Sequence, residues 1–194
     1  MSIADLKGRK VGFSVGGFED ALLGAMLAKH GLTLDDVELV NVNFSLSPSL
    51  MSGQVDGVIG AYRNFELNQM DIVGRPGRAF FLEEEGVPAY DELIIVAKNN
   101  RLSEPQFAEF LDAIEAATLF MINRPDEAWE LFIKGREDLN DELNRRAWRD
   151  TLPRFALRPA ALDRGRYDRF AEFLKGRGLI ETIPSVDIYA VELR

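Results

Sequence analysis

Cysteine is absent from this sequence of 194 residues, histidine occurs once, and no long apolar run is present. The absence of cysteine excludes disulfides, thiolate catalysis and cysteine metal sites, while it leaves the cellular compartment open. The single histidine excludes metal centres built from several histidines. No apolar stretch approaches the roughly 20 residues that a transmembrane helix needs, so we expect a globular protein.

Basic residues are also few relative to acidic ones, 23 against 32, so the formal net charge is -9. This excess of negative charge disfavours a nucleic-acid backbone or an anionic membrane as a partner. The first ten residues are rich in charge and lack the apolar core of a secretory signal, so as written the chain is predicted to stay in the cytoplasm. No pair of carboxylates stands out as placed for acid-base catalysis, and we expect neither a catalytic residue nor a cofactor.

Strands and helices alternate in the first part of the sequence. Apolar runs predict strands over Lys10–Ser14, Val37–Val42 and Val55–Ile59. A helix around residues 21–27 and a short helix over Ser47–Met51 are predicted between them. This order favours an α/β fold with a mostly parallel sheet, helices on its faces and a ligand crevice at the carboxyl ends of the strands.

The sequence changes from mixed to helical character near residue 100. Two more strands are predicted over Arg78–Leu82 and Tyr90–Ala97. Later apolar periodicities predict helices over Ser103–Met121, from Pro125 onward, over Asp141–Arg149 and over Arg166–Lys175. We therefore expect an α/β ligand-binding lobe over residues 7–97 and a helical segment over residues 98–194, with an irregular tail from Ile183.

A glycine pair, Gly16-Gly17, lies between the first predicted strand and the helix that follows it. The unpaired N–H groups at the start of that helix favour an anion or a polar group, which makes this turn a candidate binding cradle. Glu19 and Asp20 would repel a strongly charged anion, so a neutral or weakly charged ligand is favoured. The alternative is a tight turn that uses glycine for its backbone freedom. His30, at the end of the same helix, is predicted to cap it.

The segment GQVDGVIGAYRNFE, residues 53–66, leads from a buried strand directly into a polar and aromatic turn. Tyr62 offers a flat ring for stacking, Asn64 offers a donor and an acceptor, and Glu66 offers a carboxylate to a ring amine. The alternative is a strand-to-helix turn in which Asn64 caps the helix and Glu66 is a favourable first-turn charge. Both interpretations stay open at the level of the sequence.

The chain resembles the type 2 periplasmic substrate-binding proteins of ABC transporters in four stretches: KVGFSVGGFEDALLGAML, LMSGQVDGVIGAYRNFELNQM, GVPAYDELIIVA and NRPDEAWELFIKG. The branch it resembles most contains receptors for thiamine-pyrimidine precursors and the related pyrimidine synthases. In that family two α/β lobes close over a small aromatic ring. The resemblance implies that Tyr62, Asn64 and Glu66 face the ligand, with Glu66 hydrogen-bonded to an aminopyrimidine.

The same resemblance implies that Ser14, Gly16 and Gly17 hold the ligand's substituent at the helix N-terminus. The implied function is that of the substrate-binding component of an ABC importer, specific for a hydroxymethylpyrimidine or formylaminopyrimidine, with a permease as partner. The implied location is periplasmic or at the cell surface. The alternatives are a pyrimidine synthase-like enzyme of thiamine biosynthesis, an alkylsulfonate-type binding protein, and a lobe that pairs with a separate partner or with itself.

One departure from the family pattern concerns length, because family members carry a further portion before the position where this sequence starts. That portion includes most of the first lobe's sheet and a ring-stacking aromatic residue. The sequence therefore resembles the C-terminal part of such a protein, with residues 98–194 belonging to an incomplete first lobe. We expect an uncovered sheet edge and uncovered apolar helix faces, and hence weak ligand binding or self-association.

Overall fold

The computed structural model describes residues 2–193 of the chain, which form two compact units. The first unit takes in the chain up to Tyr90 together with Gly165–Ile183. The second unit takes in Asp91–Arg164 and the chain from Pro184 onward. The lobe boundary predicted near residue 97 stays a prediction.

Short strands and helices alternate before the chain becomes helical. The strands are β1 (Lys10–Phe13), β2 (Glu38–Asn41) and β3 (Gly57–Val58). The α-helices are α1 (Phe18–Lys29), α2 (Leu46–Ser52), α3 (Glu66–Ile72), α4 (Pro105–Asn123), α5 (Pro125–Ile133), α6 (Glu142–Thr151), α7 (Arg164–Gly176) and α8 (Val186–Tyr189). Within residues 2–193, every helix is too short or too polar to cross a lipid bilayer.

The three strands form one parallel sheet in the order β2, β1, β3. Gly12 of β1 lies opposite Val40 of β2 and Val58 of β3. The predicted β-α-β-α-β order is therefore confirmed, and with it the α/β fold class. Strand β3 is shorter than predicted, although the Ile59 N–H still donates to the Gly12 carbonyl oxygen at 2.9 Å.

The core of the first unit forms where α1 packs on the sheet. Leu22 and Leu27 of α1 are buried in one cluster with Val11 of β1. Full burial of a side chain of this size contributes about 1.5–3 kcal/mol. Phe170 of α7 packs against the same cluster, and its ring stacks on that of Tyr90 with centroids 4.5 Å apart. The apolar spacing in α7 thus corresponds to core packing, as predicted.

The second unit contains α4, α5 and α6. Pro125 begins α5, as predicted, because proline suits the first turn of a helix and breaks the interior of the preceding one. Trp129 of α5 is 1% exposed. Its ring centroid lies 5.8 Å from that of Phe132 and 5.7 Å from that of Trp148. These contacts confirm the packing role predicted for Trp148.

Two predicted strands are wrong. Residues 78–81 are irregular and lead into a 3-10 helix over Leu82–Glu84, and residues 90–97 form neither strand nor helix. A strand is stabilised by backbone hydrogen bonds to a neighbouring strand, and neither segment has such a neighbour among residues 2–193. Local apolar composition therefore predicted strands at positions where the described part of the chain supplies no strand partner.

Two boundaries also differ from the prediction. Helix α4 begins at Pro105 with Glu104 at its N-cap position, rather than with Ser103 as the cap. The tail from Ile183, which was expected to be irregular, contains the short helix α8. Both differences are of one helical turn or less, the range in which sequence patterns locate helix ends poorly.

Candidate functional site

The candidate site lies at the carboxyl end of the parallel sheet in the first unit. The turn that contains Ser14, Gly16 and Gly17 follows β1, and the turn over residues 60–65 follows β3. Because β1 and β3 are parallel neighbours, these two turns leave the sheet at the same edge. The two groups of residues predicted from the sequence thus lie on adjacent loops.

Glu19, in the first turn of α1, connects these loops to each other. Its side chain is 8% exposed, and its Oε2 atom accepts hydrogen bonds from the N–H of Ser14 at 2.7 Å and from that of Val15 at 3.1 Å. Hydrogen bonds from backbone N–H groups to a carboxylate are stronger than those between neutral groups. The protein's own carboxylate therefore occupies part of the cradle that was predicted for a ligand.

Gly60 approaches the same carboxylate from the end of β3. Its φ is +90°, and a Cβ atom at this position would lie only 2.8 Å from Cδ of Glu19. A glycine is therefore required there both by the backbone conformation and by the space that Glu19 fills. From the sequence, Glu19 was predicted only to repel a strongly charged anion. The available signal was its position six residues after the end of β1, from which it can reach back to the first amides beyond the strand.

The three predicted residues after β1 form one turn. Gly17 has a φ of +84°, and its N–H donates to Oδ2 of Asp20 at 3.0 Å. Ser14 Oγ accepts a hydrogen bond from the Phe44 N–H at 3.0 Å. The N–H of Gly16 donates no hydrogen bond within residues 2–193, and a Cβ there would meet only the Phe13 ring at 3.5 Å. Gly16 is therefore the member of this turn whose amide stays available.

Phe44, on the loop after β2, was not identified from the sequence. Its ring is 74% exposed, and its backbone is left-handed with a φ of 64°. The preceding Asn43 is left-handed as well, with a φ of 46°, and asparagine tolerates this conformation better than a bulky residue does. Strained backbone of this kind is concentrated at functional sites. Phe44 therefore joins the candidate site, since β2 is the other neighbour of β1 in the sheet.

Tyr62 and Glu66 close the turn after β3 by a reciprocal pair of hydrogen bonds. The Tyr62 N–H donates to Oε2 of Glu66 at 2.7 Å, and the Glu66 N–H donates to the Tyr62 carbonyl oxygen at 3.0 Å. Glu66 Oε1 makes no hydrogen bond among the described residues. The Tyr62 side chain is 44% exposed. One carboxylate oxygen of Glu66 is thus held in place while the other is available to a ligand.

Asn64 lies within this turn, and its carbonyl oxygen accepts a hydrogen bond from Asn68 Nδ2 at 3.1 Å. The N-cap position of α3 is Phe65 rather than Asn64. Asn64 therefore does not fill the capping position that the alternative interpretation gave it.

An ion pair joins the turn after β3 to the 3-10 helix over Leu82–Glu84. Arg63 donates two hydrogen bonds to the Glu83 carboxylate, at 2.8 and 2.9 Å, and its guanidinium lies 3.8 Å from the centroid of the Phe81 ring. These hydrogen bonds from Arg63 hold the pKa of the Glu83 carboxyl below its ordinary value of 4.5. The turn that carries Tyr62 and Glu66 is therefore held by contacts of Arg63 with Glu83 and Phe81.

The described part of the chain contains no recognisable set of metal-binding side chains. No group of three or more acidic, histidine or cysteine side chains within residues 2–193 is arranged to hold a metal ion. His30 is the C-cap residue of α1, as predicted, and its Nε2 atom lies 2.9 Å from Oε2 of Glu85.

Comparison with known proteins identifies a family and several relatives. The sequence model of the family described as NMT1/THI5 like matches residues 1–128. A Haemophilus influenzae protein, provisionally named as a thiamine biosynthesis protein, is 54% identical over 193 residues, which are 99% of this chain and 62% of that protein. The formylaminopyrimidine-binding protein of Halalkalibacterium halodurans is 32% identical over 143 residues, covering 72% of this chain and 43% of that protein.

Enzymes and ligand-binding proteins both occur among the similar proteins. The 4-amino-5-hydroxymethyl-2-methylpyrimidine phosphate synthase of Schizosaccharomyces pombe is 26% identical over 152 residues, covering 73% of this chain and 44% of the enzyme. The alkanesulfonate-binding protein SsuA from Xanthomonas axonopodis pv. citri, solved with bound MOPS, matches 96% of this chain and 64% of its own with a TM-score of 0.66 and 16% identity. This likeness confirms the predicted binding-protein fold. The chain spans less than two thirds of each of these proteins.

Proposed function

The chain belongs to the NMT1/THI5-like family, and from this premise we propose that it binds a thiamine-precursor pyrimidine as the ligand-binding component of an ABC importer. The ligand is of the hydroxymethylpyrimidine or formylaminopyrimidine type. The proposal includes a permease as partner, a periplasmic or cell-surface location, and no catalytic step. The observation that carries it is the Glu66 carboxylate, held by one oxygen beside the exposed ring of Tyr62.

Glu66 has the chemistry that an aminopyrimidine requires. An exocyclic amine donates hydrogen bonds, and a carboxylate is an acceptor with lone pairs on both oxygens. The bond from the Tyr62 N–H to Oε2 fixes the orientation of the carboxylate before a ligand arrives. In the proposed complex, Oε1 accepts from the ligand's amine and Tyr62 stacks on the pyrimidine ring, with Asn64 as an additional polar contact.

The turn after β1 receives the substituent of the pyrimidine ring in this proposal. A hydroxymethyl or formyl oxygen can accept from the available Gly16 N–H, while Ser14 and Gly17 hold the turn in shape. Phe44 offers a second exposed aromatic face at the same edge of the sheet. The proposal therefore adds Phe44 to the binding residues predicted from the sequence.

Two alternatives are less favoured by the residues present. An alkylsulfonate is an anion, and the carboxylates of Glu19, Asp20 and Glu66 at this edge would repel it. For a synthase-like enzyme the family resemblance implies a cysteine-rich motif, and this sequence has no cysteine. We therefore retain ligand binding without catalysis as the proposed function.

The test is a titration followed by nuclear magnetic resonance, which detects weak binding. We expect 4-amino-5-hydroxymethyl-2-methylpyrimidine to shift the amide signals of residues 14–17 and 60–66 in a saturable way, while MOPS leaves them unchanged. In Glu66→Gln the amide oxygen can still accept from the Tyr62 N–H, but the charge is lost. This variant should bind the pyrimidine about tenfold or more weakly, because a hydrogen bond to a charged group contributes about 1.5–3 kcal/mol.

Glu38→Gln provides the matched control, because Glu38 begins β2 and so lies at the opposite end of the strands from the site. Its affinity for the pyrimidine should equal that of the unchanged chain. Equal affinity of Glu66→Gln would refute the site assignment. Saturable binding of MOPS would favour the alkylsulfonate alternative, and formation of the pyrimidine by the purified chain, followed by mass spectrometry, would favour the enzyme.

A further inference from the structure

Glu19 is the one buried charged residue within residues 2–193, at 8% exposed. Its Oε2 atom accepts from the N–H groups of Ser14 and Val15. None of the ion pairs formed in the described part of the chain involves Glu19. Buried charges are usually paired with a charge of the opposite sign, so an unpaired one indicates a role beyond folding.

The second oxygen of this carboxylate is an acceptor that stays open. Oε1 of Glu19 makes no hydrogen bond within residues 2–193, and it is not one of the fully enclosed polar atoms there. The two bonds to Oε2 fix the orientation of the carboxylate, so Oε1 keeps a defined direction. A fixed acceptor with unfilled lone pairs favours a hydrogen-bond donor on a ligand.

Oε1 of Glu19 lies between the two turns of the candidate site. A Cβ atom at Gly60 would collide with Oε1, so the side chain reaches from the first turn of α1 to the end of β3. Tyr62 follows Gly60 by two residues, and the available N–H of Gly16 belongs to the neighbouring turn. A ligand substituent that extends from the Tyr62 ring towards Gly16 is therefore expected to pass Oε1.

Negative charge predominates around this oxygen. Asp20 accepts from the N–H of Gly17 in the turn after β1, and Glu66 closes the turn after β3. The basic residue of that second turn, Arg63, is paired with Glu83 at 2.8 Å. An anionic group on a ligand would thus be repelled at this place, whereas an O–H or N–H donor would be attracted.

We infer that Glu19 determines specificity by accepting a hydrogen bond from an O–H or N–H group on the substituent of the pyrimidine ring. The inference rests on the proposed function and adds a requirement to it. A hydroxymethyl group donates through its O–H and a formylamino group through its N–H, so both proposed ligand types meet the requirement. The oxygen of either group can still accept from the Gly16 N–H.

Ligands without this donor should be rejected. The methyl ether of 4-amino-5-hydroxymethyl-2-methylpyrimidine lacks the O–H, and the phosphate ester replaces it with a group that carries about 1.5–2 negative charges at neutral pH. In resonance titrations the alcohol should bind about tenfold or more tightly than the ether, and about a hundredfold or more tightly than the phosphate ester. Equal affinity for alcohol and ether would overturn this inference alone. Absence of alcohol binding would refute the proposed function, and the inference with it.

Glu19→Gln tests the role of Oε1 while it keeps the shape of the side chain. Its amide oxygen can accept from the Ser14 and Val15 N–H groups, but its NH2 group replaces the open acceptor with a donor. The preference for the alcohol over the ether should therefore fall to about twofold or less, because the ether oxygen accepts from the NH2 group.

Asp56→Asn is the matched control. Asp56 is also a carboxylate that accepts from a backbone N–H, that of Lys10 at 2.9 Å, but it lies at the opposite end of β1 from the site. This variant should keep the full preference for the alcohol. A preference that came from the bulk of the methyl group would persist in Glu19→Gln and overturn the inference. An equal loss of preference in Asp56→Asn would overturn it as well.

Discussion

Phe44 combines an exposed aromatic ring with a backbone conformation that a bulky residue seldom adopts. Its φ of 64° follows another positive φ at Asn43, and its N–H is held by Ser14 Oγ. A left-handed conformation costs a non-glycine residue about 1–2 kcal/mol. Because the ring makes little contact that would offset this cost, the residue is better explained by ligand binding than by folding.

Phe44→Gly is expected to stabilise the fold while it weakens ligand binding. Glycine adopts a positive φ without the Cβ penalty, so the free energy of unfolding should rise by about 0.5–1 kcal/mol. Loss of the ring should reduce affinity for 4-amino-5-hydroxymethyl-2-methylpyrimidine. Urea denaturation and the same resonance titration measure the two effects.

Phe155→Gly is the control, because Phe155 is also an exposed phenylalanine but has an ordinary φ of -66°. There the glycine should lower the free energy of unfolding, since only the unfolded chain gains freedom. If Phe44→Gly destabilises the protein as much as Phe155→Gly does, Phe44 is a packing residue and the prediction fails.

Single residues of the site were only partly predictable from the sequence. Tyr62 and Glu66 were predicted as ligand-binding residues because their types and spacing follow from one turn, and that role stays a prediction. Glu19 and Phe44 were missed because their roles depend on contacts with other loops: Glu19 with Ser14 and Gly60, and Phe44 with Ser14. Local patterns report propensity, whereas these contacts arise only once β1, β2 and β3 lie side by side.

At the scale of elements, the Arg63–Glu83 pair couples the turn after β3 to the 3-10 helix over Leu82–Glu84. The Arg63 side chain is 32% exposed and that of Glu83 is 46% exposed. A pair with this exposure contributes about 0.2–1 kcal/mol, since water screens it. The contribution is small, but it acts on the turn that carries Tyr62 and Glu66.

The Arg63–Glu83 pair makes the free energy of unfolding depend on pH. The pKa of Glu83 is lowered in the folded state by hydrogen bonds from Arg63, so the pair contributes fully above the ordinary value of 4.5 and is lost as the pH falls through the folded pKa. Unfolding by urea should therefore show Glu83→Gln less stable than the unchanged chain at pH 6. The difference should shrink towards zero when the pH is lowered well below 4.5.

Arg63→Gln and the double variant complete this experiment as a cycle. Arg63→Gln should remove the same part of the pH dependence. The free energy of unfolding of the double variant should fall by no more than that of either single variant. The free energies of unfolding of Glu83→Gln and the unchanged chain should converge at low pH. If their difference stays the same there, the assignment to this ion pair is wrong.

Elements were predicted well where their stability is local or comes from the nearest strands. The order of β1, α1, β2, α2 and β3 was confirmed, because each short strand finds its partner within the first 60 residues. The strands over Arg78–Leu82 and Tyr90–Ala97 were wrong for the opposite reason. Their apolar residues satisfy the sequence rule for a strand, but a strand also requires a neighbour that residues 2–193 do not provide.

At the scale of the whole molecule, the two units differ in how much apolar surface they bury. In the first unit, α1 alone buries Leu22, Leu23 and Leu27. The described residues of the second unit include few buried apolar side chains, namely Ala128, Trp129, Ala147 and Val186. Apolar burial is the main favourable term in folding, so the second unit should be the less stable of the two.

Native-state hydrogen exchange tests this difference. We expect the amides of β1 and α1 to be protected at least tenfold more strongly than those of α4 and α6. Trp129→Ala, which opens a cavity in the second unit, should increase exchange in α5 and α6 and leave β1 and α1 unchanged. Equal protection of the amides in both units would show that the chain unfolds as one cooperative unit. Faster exchange of the β1 amides in Trp129→Ala would show the same.

The contact between Glu19 and Gly60 constrains the order in which this protein can change during evolution. A side chain at position 60 collides with the carboxylate of Glu19, whereas a shorter acid such as aspartate at position 19 would withdraw from that space. Because φ at position 60 is also +90°, a lineage can acquire a side chain there only after position 19 has become smaller, and then only a residue such as asparagine that tolerates a positive φ. Descendants with a side chain at position 60 should carry the smaller residue at position 19, and a stable relative that keeps glutamate with a bulky partner would contradict this history.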